Sequence, residues 1–78
     1  MKNLILKNRK DSEIYLDEVK RDNVVITYDG EKIYMITIFI NKMWTNISPA
    51  GGIIHKDENL FDSIDDIPGS DLKFRVLQ

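Results

Sequence analysis

Cysteine is absent from the 78 residues of this chain, and that absence excludes several chemistries at once. There is no disulfide framework, no thiolate metal site and no cysteine nucleophile. It also fits a reducing compartment. Histidine is nearly absent too: His55 stands alone, so any site built on two imidazoles is excluded. Two prolines and four glycines are too few for a linker or a low-complexity tract. Long apolar runs are missing at the start of the chain, where Leu4-Ile5-Leu6 is too short for a signal-peptide core or a membrane span. The expectation is a cytoplasmic, soluble protein with no membrane segment. At 9.1 kDa, residues 1–78 make one domain, and a domain of this size buries only roughly 60% of the surface its unfolded chain exposes.

Charge of one sign does not dominate. The net charge of −2 and pI near 5.2 weigh against a dedicated nucleic-acid binder. The distribution is more informative than the total. Lys2, Lys7, Arg9 and Lys10 make the first ten residues basic, whereas the stretch from Asp57 to Asp71 contains Glu58, Asp62, Asp65 and Asp66 and no Lys or Arg. Isoleucine, lysine and asparagine are heavily used, as in an AT-rich coding sequence.

What is present is a β-meander between Asn23 and Ile47. Turn signals at Asp29-Gly30 and Asn41-Lys42 separate Val24–Tyr28, Ile33–Ile40 and Met43–Ile47. A two-residue turn at Asp29-Gly30 sets Ile26 opposite Ile33 and Val24 opposite Met35; a three-residue loop would pair Ile26 with Tyr34, and the sequence leaves both open. A tight turn at Asn41-Lys42 sets Phe39 opposite Trp44 and Ile36 opposite Ile47. One face of the middle strand carries Ile33, Met35, Thr37 and Phe39, the other Tyr34, Ile36, Ile38 and Ile40. Both faces are apolar, as in a strand covered on two sides or one whose second face meets a partner.

Around the meander, Leu4-Ile5-Leu6 reads as an entering strand. Glu13–Lys20 fits strand or helix, with strand favoured and paired to Val24–Tyr28. Ser48–Gly52 ends the meander and is the expected hinge or binding loop. Ile53-Ile54-His55 is a small strand or a buried connection. Asp57 is the expected N-cap of an amphipathic helix running to about Ile67 and stopped by Pro68-Gly69, with Ser63 as an alternative start. Leu72, Phe74 and Val76 alternate inward in a closing strand. The fold class is α+β: an antiparallel sheet of about five strands with one helix packed on one face.

Motifs of catalysis are lacking. No serine lies in a nucleophile-elbow or S-x-x-K context, Gly51-Gly52 is followed by Ile53-Ile54 rather than a phosphate-binding helix, and adjacent Asp65 and Asp66 diverge on a helix. A non-enzymatic protein with no cofactor and no metal is the expectation. On the helix, Leu60, Phe61, Ile64 and Ile67 share one face, and Glu58, Asp62, Asp65 and Asp66 form a stripe on the other. The functional expectation is a small protein-interaction module that meets a basic partner through Glu58, Asp62, Asp65 and Asp66 and the neighbouring Pro49, Gly51, Gly52 and Trp44. A more specific version is an inhibitor encoded by a phage or other mobile element, anti-CRISPR- or anti-restriction-like, acting on a host nucleic-acid-handling protein. A homodimer is a further expectation from the apolar second face. The alternatives are a single-stranded nucleic-acid-binding sheet using Tyr15, Tyr28, Tyr34, Phe39 and Trp44, disfavoured by the scarcity of cations around them, and a small-ligand or metal module around His55.

Overall fold

The computed structural model describes residues 7–8, 19–69 and 72–77. Among them the chain forms β1 (Lys7–Asn8), β2 (Val24–Asp29), β3 (Lys32–Ile40), β4 (Met43–Ile47), β5 (Ile53–Asp57), one helix α1 (Leu60–Asp65) and β6 (Leu72–Leu77). The strands make one antiparallel sheet in the order β1-β6-β2-β3-β4-β5. This is the expected α+β class, with the meander β2-β3-β4 in the middle and the C-terminal strand returning to the sheet.

Two hairpins illustrate how turn chemistry sets register. At Asn41-Lys42 both central residues have positive φ, 50° and 66°, as the mirror-image two-residue turn demands. Phe39 therefore faces Trp44 and Ile36 faces Ile47, as the sequence implies. The rings of Phe39 and Trp44 meet edge to face, with centroids 5.3 Å apart. The other hairpin departs from both expected registers. Its loop is Gly30-Glu31, because Asp29 pairs with Lys32, and only Gly30 takes a positive φ, 64°. A bulge between Thr27 and Tyr28 on β2 and Ile33 and Met35 on β3 then leaves Tyr34 as the extra residue. Ile33 is thereby set opposite Tyr28 and is 45% exposed, while Tyr34 packs on the core, the reverse of the strict alternation expected for this strand.

Three other expectations are corrected. The place beside β2 anticipated for a strand near Ile14 is taken by β6, which pairs with β2 along its whole length; the segments around Leu4–Leu6 and Ile14 themselves lie outside the described residues. Of the two readings of Ile53-Ile54-His55, the strand is the one found, longer than expected, running to Asp57 against β4 and not as a buried connection. The helix is shorter than expected and starts later: Asp57 ends β5, and the N-cap is Asn59, whose side chain accepts from the Asp62 N–H at 3.2 Å. Asp57 instead accepts from the Asn59 N–H at 2.9 Å. Ser63 lies inside the helix and is fully buried, so it does not start one.

The core lies between one sheet face and α1 with its flanks. Val25, Met35, Trp44, Phe74 and Val76 project from the sheet, and Leu60, Ile64, Ile67 and Leu72 close over them. Each fully buried side chain of this kind contributes about 1.5–3 kcal/mol. The chain turns back into β6 through Gly69, where φ is 133° and an added Cβ would lie 3.0 Å from the Leu72 side chain, so only glycine fits this approach. On the opposite sheet face Val24, Ile26, Ile36, Ile38, Ile47 and Leu77 are half-buried, and Ile40 is exposed.

Candidate functional site

The site begins with how α1 is held. A six-residue helix has little intrinsic stability, so its position depends on the sheet beneath it. Ser63 Oγ donates to the Trp44 carbonyl at 2.8 Å, Asn46 Nδ2 donates to the Ser63 carbonyl at 2.8 Å, and Thr37 Oγ1 donates to Asn46 Oδ1 at 2.6 Å. All these groups are buried. The Ser63 carbonyl belongs to the last turn, where helix carbonyls lack intrahelical partners, and Asn46 supplies the missing donor. Thr37, Asn46 and Ser63 thus fix the helix by a relay in which each buried polar group has a partner. Sequence reasoning did not single them out. The available signal was the Asn41-Lys42 register, which sets Thr37 opposite Asn46 on the inward face.

With the helix fixed, Asp62 and Asp65 lie on it and Asp66 is its C-cap, whereas Glu58 precedes the N-cap Asn59 and is not part of the helix stripe expected from the sequence. Glu58, Asp62, Asp65 and Asp66 are all exposed, and none is within ion-pair distance of a Lys or Arg among the described residues. Glu58 lines a groove with Arg21, Phe39 and Lys42, and His55 contacts the other end of this surface. Its Nδ1 is 3.4 Å from Asp66 Oδ2 and its Nε2 is 3.9 Å from Asp57 Oδ2, so the ring bridges the end of β5 and the helix C-cap. No group of three or more His, Asp or Glu side chains among the described residues is arranged to hold a metal ion.

The remaining expected contact residues separate. Pro49, Gly51 and Gly52 are exposed beside β5. Their loop is closed by local hydrogen bonds: the Ser48 N–H donates to the Gly52 carbonyl at 2.9 Å, the Gly51 N–H to the Ser48 carbonyl at 2.8 Å, and the Gly52 N–H to Ser48 Oγ at 3.2 Å. Trp44 does not join the surface. It is 6% exposed and belongs to the core, because its place opposite Phe39 on the inward face buries the indole.

The aromatic side chains form no single stacking platform. Tyr34, Phe39 and Trp44 pack on the helix side of the sheet, whereas Tyr28 lies on the other face under the Arg75 guanidinium, 5.5 Å from the ring centroid. Tyr15, like Lys2, Arg9 and Lys10, falls outside the described residues. A second surface feature was not anticipated. Ile53 and Ile54, each 58% exposed, stand on β5, the last strand of the sheet. They adjoin a shallow groove lined by Ile40, Asn41, Met43, Thr45, Ile53 and Lys56.

No helix among the described residues is long and apolar enough to cross a membrane. Compared with known proteins, the chain matches no family model, no curated protein and no solved structure.

Proposed function

We propose that this protein is a non-enzymatic interaction module that binds a basic surface of a partner protein through the acidic side of α1. The observation that carries this reading is the display of Asp62, Asp65 and the C-cap Asp66, with Glu58 just before the N-cap, all exposed and without a Lys or Arg ion-pair partner among the described residues, on and beside a helix held by buried hydrogen bonds. Fixed carboxylates lose little freedom on binding, and unpaired ones steer association with a cationic surface. Partners that keep such a surface include proteins that handle nucleic acid, whose grooves are lined with Lys and Arg. On this reading the module acts as an inhibitor by occupying the groove, in the manner of proteins that phages and other mobile elements direct against host defences.

The test is reversal of Asp62, Asp65 and Asp66 to Lys, with affinity capture from a host lysate before and after. All three are exposed, so thermal unfolding is expected to stay within a few degrees of the parent, since surface changes are usually worth about ±0.5 kcal/mol each. The partner retained by the parent is expected to be lost from the triple variant. Retention of the same partner by a folded triple variant would overturn the proposal.

A further inference from the structure

We infer that the open edge of β5 takes an extended segment of the partner as a seventh strand, one that alternates apolar and basic residues. This rests on the reading above in taking the partner to be cationic, and it adds where and in what conformation the partner binds. Three observations converge on the edge. Among the described residues β5 has a strand on one side only, so half of its backbone N–H and C=O groups face outward. Its two isoleucines are the most exposed large apolar side chains of the described residues. The surfaces above and below it differ in chemistry.

That difference defines the occupant. Lys56 pairs with Thr45 and Ile53 with Ile47, which puts Ile53 and Lys56 on the sheet face away from α1, beside the groove formed with Ile40 and Met43. His55 pairs with Asn46 and Asp57 with Trp44, which puts both on the helix side, where His55 reaches Asp66. A strand laid along β5 presents alternate side chains to the two sides. On one side they meet Ile53, the groove and the aliphatic stem of Lys56. On the other they meet Asp57 and Asp66. Apolar residues suit the first and Lys or Arg the second.

A second copy of the chain fits poorly. Antiparallel pairing of two β5 edges centred on His55 would set Lys56 of each copy opposite the bulged Ile54 of the other and leave Asp57 near Ile53, so a second copy brings no cation to the acidic side. The edge is also guarded against indiscriminate pairing. Ile54 is an extra residue between the Ile47–Ile53 and Asn46–His55 pairs, and bulges and edge lysines such as Lys56 are common devices against aggregation.

The experiment is an amide NMR titration of the full chain with capped peptides of about six residues: alternating Val-Lys, alternating Val-Glu, and a block peptide with the composition of the first. Two N-methylated forms of the Val-Lys peptide, modified at odd or at even positions, remove the hydrogen-bond donors of one peptide edge or the other. The expected result is binding of the Val-Lys peptide with shifts centred on Gly52–Asp57, about tenfold tighter than the Val-Glu peptide, and abolished by one N-methylation pattern but not the other. Ile53→Ser, at an exposed position, is expected to weaken it severalfold. Equal binding of the block peptide with shifts confined to Asp62–Asp66 would overturn strand addition while sparing the acidic-face reading. Equal or tighter binding of the Val-Glu peptide would overturn the charge assignment. Concentration-dependent shifts at β5 without peptide would assign the edge to a second copy and overturn the inference. Failure of every cationic peptide to bind would count against both readings.

Discussion

The core face of the sheet is built in two ways. Along β2 and β6 it is apolar: Val25, Phe74 and Val76 are fully buried, and the one polar side chain among them, Thr27, has a buried hydroxyl without a hydrogen-bond partner among the described residues. Along β3 and β4, beneath α1, the same face carries Thr37 and Asn46, both buried and both partnered. The first half obtains its stability from area removed from water, a force without direction. The second adds directional bonds that accept one placement of Ser63 and therefore one placement of the helix. A surface meant to present charges in a fixed pattern needs the second kind of contact. The apolar half supplies the stability that lets a six-residue helix be held at all.

This contrast can be broken most forcefully at Phe74. Phe74→Ala in the apolar half is expected to cost about 3–5 kcal/mol, comparable with the whole stability a small domain can muster, so the variant should be largely unfolded. Phe74→Leu, which keeps most of the volume, should remain folded with a cost of about 1 kcal/mol. Urea unfolding of both measures this, and a loss below about 1 kcal/mol for Phe74→Ala would mean that the β2–β6 half is not the main source of stability. Asn46→Ala acts on the other half. It leaves Thr37 Oγ1 and the Ser63 carbonyl buried without the partners they now have, an expected loss of about 2–3 kcal/mol. The loss should be local in character. Amide exchange should accelerate in Leu60–Asp66 before it does in β2 and β6, and uniform acceleration would show that the relay is not what singles out the helix.

The two halves also differ in how much of them was legible in the sequence. In the apolar half the closing strand and its inward residues were read, because Leu72, Phe74 and Val76 alternate without interruption, but its place beside β2 was not, since alternation says nothing of which strand a strand pairs with. The hairpin at Asn41-Lys42 was read in register because one turn type accounts for it. The Asp29-Gly30 signal identified a hairpin but misplaced its loop by one residue, since glycine can serve as the first or the second central residue of a mirror-image turn and the sequence favours neither. The resulting bulge exchanged the faces of Ile33 and Tyr34. Strand β5 was left open between a small strand and a buried connection for a related reason: the extra Ile54 breaks period-two alternation over a segment only five residues long. The acids of the candidate site were legible because exposure is what their charge dictates. The relay that fixes them was not, because a Thr, an Asn and a Ser at inward positions look like weak points of a core until the helix above supplies their partners. Trp44 was drawn into the candidate surface by residue type alone, and its register opposite Phe39 already implied burial.

The smallest effects sharpen the comparison most, because they change sign across the two halves. Thr27 and Thr37 are both 0% exposed and both project from central strands onto the same face. Replacing either with Val keeps the shape and removes the hydroxyl. At position 37 the hydroxyl donates to Asn46 Oδ1 at 2.6 Å, so Thr37→Val strands an acceptor in the core and should cost about 1–2 kcal/mol. At position 27 the hydroxyl has no partner among the described residues, so its desolvation in the folded state is uncompensated there and Thr27→Val should stabilise the protein by about 0.5–1 kcal/mol. Paired thermal and urea unfolding of the two variants would read a difference of about 2 kcal/mol between substitutions that are identical on paper. A loss at position 27 equal to that at position 37 would mean that β-branched packing, and not hydrogen bonding, governs both halves. The opposite signs would establish that the polar character of this core is local, concentrated where the sheet must hold the helix and dispensable where it must not.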